Sequence, residues 1–458
     1  MTRDSVWDVS QSCFSQQVCN STTALGGSMS IQRYRTIINF RDTLYRQFLG
    51  SGCCEMTLNV TLRPRGGQYT SMSVSGVNLV LEVGLSLCRK AGLTLHNNSS
   101  LQLFPWQNQH SQNQPTYQSF RAIDPDGDSL SYELTPALAN GFNISYTSGF
   151  RYDYPLSVYC AGVKAPCAAN PNTTQPRGFF LDASTGDLVF EPTSPSEVSA
   201  AVVRINEFRR DSSGRYALIG YSMVEGYIVT RLYINNHPIV SNPVNASICE
   251  RERYCFSTTY SDAKNPGQAA PDTPVFRYFT NIPNFSLVNT PPTRFNPVNT
   301  VNVCFTAPAF DSIKEPYFFT VAVFDNFCGT AFESRRTHQI RVRRKPASTL
   351  TKTLLPGSRL AVAAKVPDSL ARMDLRITGP NNYRYERSAL RNQYFDTLRL
   401  FTAGEYCLEL TTYGNGYCNY IIRDTVRMNG CLTLQHQIDT QKAYCRNQPV
   451  VFRVSTQN

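Results

Sequence analysis

The stretch Asp124-Pro125-Asp126-Gly127-Asp128-Ser129-Leu130-Ser131-Tyr132-Glu133-Leu134 decides the fold class. Three carboxylates alternate with Pro and Gly, so the backbone turns tightly there. Leu130, Tyr132 and Leu134 then fall on one face, and Ser129, Ser131 and Glu133 on the other. That period of two marks a half-buried strand. The same grammar returns at Gly178-Phe179-Phe180-Leu181-Asp182-Ala183-Ser184-Thr185-Gly186-Asp187-Leu188-Val189-Phe190, where a strand enters an Asp/Ser/Gly turn and a strand leaves it. Ala201 to Phe208 and Ile219 to Val229 alternate as the arms of a hairpin.

Outward from this stretch the chain keeps the same character. Strands are expected at 33–40, 56–62, 255–262, 301–305, 316–328, 337–342, 359–364, 373–380 and 402–410. A chain of 458 residues is too long for one all-β core, and 41% hydrophobic residues supply several. The reading is all-β: a tandem array of Ig/cadherin/PKD-like β-sandwich domains. Expected boundaries are a strand-rich module at 1–115, sandwiches at 116–236, 244–345 and 350–428, and the start of a further module at 429–458. Polar, Pro-bearing stretches at 97–115, 235–238 and 344–347 read as connectors.

The formal charge is +11, carried mostly by arginine. A nucleic-acid binder would gather that charge on one helix or patch. Here it is scattered, apart from Arg335-Arg336 and Arg341-Val342-Arg343-Arg344, which read as basic strand faces and a basic linker. No nucleic-acid partner is expected, and an anionic polysaccharide or cell surface suits the charge better. No apolar run is long enough to span a membrane.

The 15 cysteines include no CxxC pair, and the five histidines are isolated, so zinc-ribbon and thioredoxin chemistry do not fit. Disulfides are the better account, and they place the chain outside a reducing cytosol. Expected pairs are Cys160–Cys167, whose short loop carries Pro166, with Cys13–Cys19 and, across a hairpin, Cys407–Cys418. No leader segment is recognisable at the start, so the expectation is a piece of a longer secreted protein.

Catalytic signatures are missing: no GxSxG, HExxH or Walker loop occurs. Glu207 and Glu225 could form a glycosidase pair, but both sit in the hairpin pattern, and a non-enzyme is expected. Asp124, Asp126 and Asp128 are candidate Ca²⁺ ligands, because closely spaced carboxylates on a turn supply several of the six to eight oxygens calcium takes. The alternative is an Asx/Gly turn feeding a strand.

The order of these pieces from Phe120 to Tyr233 resembles a cadherin-like β-sandwich. It is more closely similar to the repeat modules of very large Bacteroidetes-type surface proteins. Those carry "DPDGDSL-Y-L", "D-TG-L-F-PT" and "V-V-EFR-G-LIG" pieces in this order. Cys53-Cys54 resembles a "CC" signature of that family, although Glu55-Met56 follows where Arg-Asn is usual. Asp325-Asn326-Phe327-Cys328 resembles the end of its penultimate strand, and 403–428 resembles the closing strands of a PKD-like fold. The resemblance implies an extracellular, structural and adhesive role at a bacterial surface, with export by type IX secretion and action in attachment or gliding. It implies a cell-surface glycan or protein ligand, and other modules of the same protein as partners. It also favours calcium at a module junction, with Glu207 or Asp182 added to the ligands. Asp-Ser/Thr followed by an aliphatic residue resembles the O-glycosylation sequon of such proteins, which makes Ser5, Thr43, Ser129, Ser312, Ser369, Thr397 and Thr425 candidates. The alternative function is a non-catalytic carbohydrate-binding appendage of a polysaccharide-processing enzyme, for which Tyr152, Tyr154 and Tyr159 would supply an exposed aromatic face.

Overall fold

Ser129–Leu134 is a strand, and its partner is the long strand Val198–Arg210, with Tyr132 opposite Ile205 and Leu130 opposite Glu207. The computed structural model describes residues 2–8, 30–35, 55–64, 69–73, 77–86, 97–139, 141–211, 215–266, 274–291, 298–310, 316–325, 327, 330–366, 371–414 and 417–429. Described residues are almost entirely strands, turns and loops, as an all-β chain requires. They divide into two compact units, 1–246 with 253–341, and 247–252 with the chain from 342 onward.

In the first unit, Val198–Arg210 and Tyr216–Arg231 form the expected antiparallel hairpin at the centre of an eight-stranded sheet. Ala201, Val203 and Ile205 enter one core with Phe120, Tyr132, Leu156, Leu188 and Phe190. Ala200 and Val202 enter a second core on the opposite face, with Met72, Val80, Leu138 and Met223. The strand is therefore apolar on both faces, as central strands covered on both sides are.

Tyr132 joins the two turn motifs. Its main-chain N–H donates to the carbonyl of Ala183 at 2.9 Å, and its hydroxyl accepts the N–H of Ala122 at 3.0 Å. Its ring lies over Gly186, where an added Cβ would stand 2.9 Å from Cε1. Gly186 also has φ +77°, a left-handed conformation that side chains disfavour. Gly186→Ala is expected to cost about 2–4 kcal/mol, from overpacking and backbone strain together. A urea melt that placed the variant within 0.5 kcal/mol of the parent (about the size of a neutral surface substitution) would refute the coupling.

The boundary expected at 115/116 does not hold. Strands Glu55–Pro64 and Asn78–Ser86 pair with each other, and the second pairs with Tyr216–Arg231, so they belong to the sheet of the 116–236 module. The 97–115 connector is built into the same module. Gln109–Ser111 pairs in parallel with Val229 to Arg231, Trp106 stacks on Phe120 at 4.7 Å, and His110 and Ser111 are buried. Polar composition suggested a linker, but several of its polar groups have partners inside the fold: Trp106 Nε1 donates to the carbonyl of Tyr227 and Gln112 Nε2 to that of Thr193, each at 2.7 Å.

The second sandwich of this unit pairs Arg253–Ser261, Asn299–Thr306 and Phe285–Thr290 in one sheet, and Val275–Thr280, Tyr317–Phe324 and Glu333–Arg343 in the other. Its core is aromatic: Phe256 lies 5.7 Å from Phe319 and 4.8 Å from the buried His338 ring, centroid to centroid. The stretch 235–238, expected to be a linker to this sandwich, has Asn235 and His237 buried.

The second unit holds one further sandwich. Thr349–Leu355, Arg359–Lys365 and Gln393–Arg399 make one sheet. Tyr383–Leu390, Ala371–Gly379, Gly404–Gly414 and Tyr420–Met428 make the other. Leu360, Val362, Leu375, Ile377, Tyr406 and Leu408 fill the space between them. The further module expected at 429–458 lies, but for Asn429, outside the described residues.

Candidate functional site

The turn at 124–128 brings its three carboxylates together, with one oxygen from each within 4.8 Å of the others. Asp124 closes the turn: its Oδ1 accepts the main-chain N–H of Asp126 at 2.8 Å and of Asp128 at 3.1 Å. Asp126 accepts the main-chain N–H and the side-chain amide of Asn98, at 2.6 and 2.7 Å. Asp128 takes a bidentate pair from Arg209, at 2.7 Å from Nε and 2.5 Å from Nη2. The same Nη2 lies 3.5 Å from Asp126 and donates to Asn97 Oδ1 at 3.2 Å. Glu207, two residues before Arg209 on its strand, accepts Asn97 Nδ2 at 2.6 Å and the Ser100 N–H at 2.7 Å. Asp182 stays apart and caps its own turn through Ser184 and Thr185.

Burial raises the Asp124 carboxyl to about 7, and the nearby charges of Glu207 and Asp128 add to the effect against the opposing turn N–H groups. Burial also raises Glu207. The donor set only partly fits calcium. Asp124 Oδ2 is buried without a hydrogen-bond partner, as a free ligand atom would be. Asp126 and Asp128, however, already share a guanidinium, which supplies the positive charge a cation would bring. Sequence reasoning missed Arg209, Asn97 and Asn98. The "EFRR" pattern placed Arg209 on a hairpin strand without showing which turn it would face.

Glu207 opposes Gly220 and Glu225 opposes Val202 in the hairpin register. Five strand residues separate them along the pair, roughly 17 Å, well beyond the roughly 5–9.5 Å of a glycosidase pair.

A second polar cluster lies inside the first unit, where the strand Glu333–Arg343 turns its outer face onto the 97–236 module. Asp187, from the STGD turn, accepts Ser119 Oγ at 2.9 Å, Thr337 Oγ1 at 2.7 Å and the Thr337 N–H at 2.6 Å. Burial raises its carboxyl to about 6, against those hydrogen bonds and the charge of Arg336. Arg335 is 0% exposed. It donates to the Pro105 carbonyl at 2.7 Å and to Gln118 at 3.3 Å, and pairs with Glu333 at 2.5 Å. Arg336 lies 4.8 Å from the centroid of the Tyr117 ring and donates to Asn172 at 2.9 Å. Arg335-Arg336 is thus a buried docking pair. The exposed basic strand face expected from its sequence is corrected, because the neighbouring module supplies acceptors for both guanidinium groups.

Cys160 and Cys167 form a disulfide, with Cα atoms 5.8 Å apart. Cys418 bonds Cys249, 169 residues away, so the Cys407–Cys418 pairing is corrected. Cys407 stands opposite Thr425 in its sheet, and it is exposed and free. A third bond joins Cys255 to Cys304, directly opposite each other in their sheet. Cys13 and Cys19 lie outside the described residues.

Of the candidate glycosylation residues, Thr397 and Thr425 are exposed and Ser129 is half-buried. Asp396 and Asp424 each accept the N–H of the following Thr, at 2.7 and 2.8 Å, so each Asp has a structural task of its own. Ser5 lies in the strand Thr2–Asp8, with its side chain outside the description, as are Thr43, Ser312 and Ser369 altogether. Tyr152 is exposed but Tyr154 is buried and Tyr159 half-buried, so the three make no aromatic face. Among the described residues no helix is long and apolar enough to cross a membrane.

No family model matches the chain, and no curated protein matches it. Among solved structures it is similar to titin domains, at 10% identity over 72% of this chain and 97% of that one, with a TM-score of 0.23. The ICAM-5 D1–D4 ectodomain fragment aligns at 12% identity over 82% and 94%, with a TM-score of 0.24. A DUF4785 family protein from Legionella pneumophila aligns at 9% over 82% and 88%, with a TM-score of 0.28. At such identities and scores the sandwich architecture rests on the sheets themselves.

Proposed function

We propose that this chain is an extracellular structural and adhesive segment of a large bacterial surface protein, exported by type IX secretion and acting in attachment or gliding. The observation that carries the reading is the buried seam of Asp187, Arg335 and Arg336. A sequence that commits charged side chains to docking one sandwich on the next is holding domains in fixed register, which is what a force-bearing spacer needs. Three disulfides among the described residues support an oxidising location. Antibody against the purified chain should label intact cells that express the natural protein, and external protease should remove the label. Labelling only after lysis would overturn the location and the role together.

Calcium at the acidic turn is part of this proposal. It must compete with Arg209 for Asp126 and Asp128, and it favours the ionised form of Asp124. Millimolar calcium is therefore expected to raise the melting temperature of Arg209→Ala more than that of the parent, and more at pH 8 than at pH 6. Equal melts with calcium and with chelator, in both proteins at both pH values, would leave the turn as a purely hydrogen-bonded device.

A further inference from the structure

The outer face of the three-stranded sheet in the second unit is unlike the rest of its surface. Inward residues Leu360, Val362, Ala364 and Leu398 enter the core. The outward set is Thr349, Thr351, Thr353 and Leu355 on the first strand, Arg359, Ala361, Ala363 and Lys365 on the second, and Gln393, Phe395, Thr397 and Arg399 on the third. Register sets them in rows: Thr349, Lys365 and Gln393; Thr351, Ala363 and Phe395; Thr353, Ala361 and Thr397; then Leu355, Arg359 and Arg399.

Three properties coincide in this face. Its middle rows carry only Ala, Thr and Phe395, with Leu355 in the end row. Phe395 stands up from the face at 65% exposure, and Phe401, just past the strand, is 75% exposed. Its charges have one sign, with Arg359 and Arg399 at one end and Lys365 at the other, roughly 20 Å along the strand. No carboxylate occurs in the outward set, and none of the ion pairs among the described residues involves these three cations. A single exposed ring is ordinary on a protein surface; what sets this face apart is a ring set between cations of one sign with no carboxylate beside them, a charge pattern that suits an anionic partner.

We propose that this face binds an anionic polysaccharide, laid along the strands. A sugar ring would pack its C–H face on Phe395, the threonine hydroxyls would meet ring hydroxyls, and the cations at the two ends would meet carboxylate or sulfate groups. Charge complementarity selects this partner: a neutral glycan would leave the cations without a role, and a hydrophobic protein patch would bury them unpaired. The inference deepens the adhesive reading by naming the ligand class, and rests on that reading for its biological setting only.

Binding of the whole purified chain to polygalacturonate oligomers, heparin oligomers and neutral gluco-oligomers, measured by calorimetry across a salt series, tests it. The two polyanions distinguish carboxylate from sulfate recognition. Salt-sensitive binding to at least one of them, with none to the neutral chain, is expected. Phe395→Ala and the combined Arg359→Ser and Arg399→Ser variant should each weaken it about tenfold, with unchanged melts because these side chains point outward. Failure to bind either polyanion at low salt, or parent-like binding by both variants, would overturn the proposal. So would tighter binding to a DNA duplex than to either glycan, since that would make the face a phosphate surface. Cell-surface labelling separates the two failures: a labelled cell with a non-binding chain sinks this inference and spares the adhesive reading.

Discussion

Replacing His110 by Phe is expected to stabilise the first unit, relative to the parent, by about 3 kcal/mol more at pH 4.5 than at pH 7.5. Burial lowers His110 from 6.5 to about 3, partly opposed by the main chain of Gln107. Below pH 6.5 the unfolded chain takes up a proton that folded His110 refuses. The parent thus loses ~1.4 kcal/mol from this group for each pH unit of acidification. The phenyl ring cannot titrate, and any packing cost it brings is the same at every pH. Its surroundings are Trp106 at 5.9 Å, Phe190 at 5.4 Å and His237, which its own burial above all keeps neutral. His338 behaves alike, lowered to about 4 by burial and by the charge of Arg336.

The carboxyl groups of Asp187 and Asp124 pull the other way. Their raised values mean the folded chain holds protons that the unfolded chain has released, so their contribution improves as pH falls towards 3.8. The pH slope of the parent is therefore a partial cancellation, and only the difference between variant and parent isolates the histidine. Urea melts of both proteins from pH 7.5 to 4.5 provide that difference. Parallel stability curves would show that His110 is not a buried neutral group.

The second large effect is expected at Arg335. Arg335→Ala removes the only cation paired with Glu333 among the described ion pairs and takes a donor from the Pro105 carbonyl and from Gln118. Breaking one side of a buried pair leaves the other charge uncompensated, and the expected cost is about 3–5 kcal/mol. The guanidinium also lies 5.0 Å from the centroid of the Phe104 ring, so packing is lost with the charge. Arg335→Met with Glu333→Gln keeps the volume and removes both charges, and should recover most of the loss. Chemical denaturation of the single and double variants decides the matter. A single variant within 1 kcal/mol of the parent (less than one ordinary buried hydrogen bond and its desolvation) would remove Arg335 from the docking seam.

Local features were legible because their causes are local. Period-two alternation located Ser129–Leu134 and, in the later sandwiches, Arg253–Ser261 and Arg359–Lys365, since a strand with one wet face must alternate. The Asp/Gly turns were legible because Gly and Asx chemistry acts over a few residues. The Cys160–Cys167 loop closes over a span short enough to judge from the chain alone. The strand 333–343 shows where that logic ends: its alternation marked a strand, yet both its faces are buried, and composition does not say what will cover a basic face.

What only the tertiary structure decided are the contacts between residues far apart in the chain. Arg209 reaches the acidic turn across 81 residues, and Cys249 reaches Cys418 across 169. Tyr132 lies over Gly186, and Arg335 meets Gln118 across 217 residues. A polar segment such as 97–115 looks the same in sequence whether water or a neighbouring strand satisfies its hydrogen bonds, because desolvation is a property of what packs against a residue. The sequence by itself therefore determined strand, turn and the short Cys160–Cys167 loop. Sheet membership, domain limits and the partner of each buried charge were decided by packing.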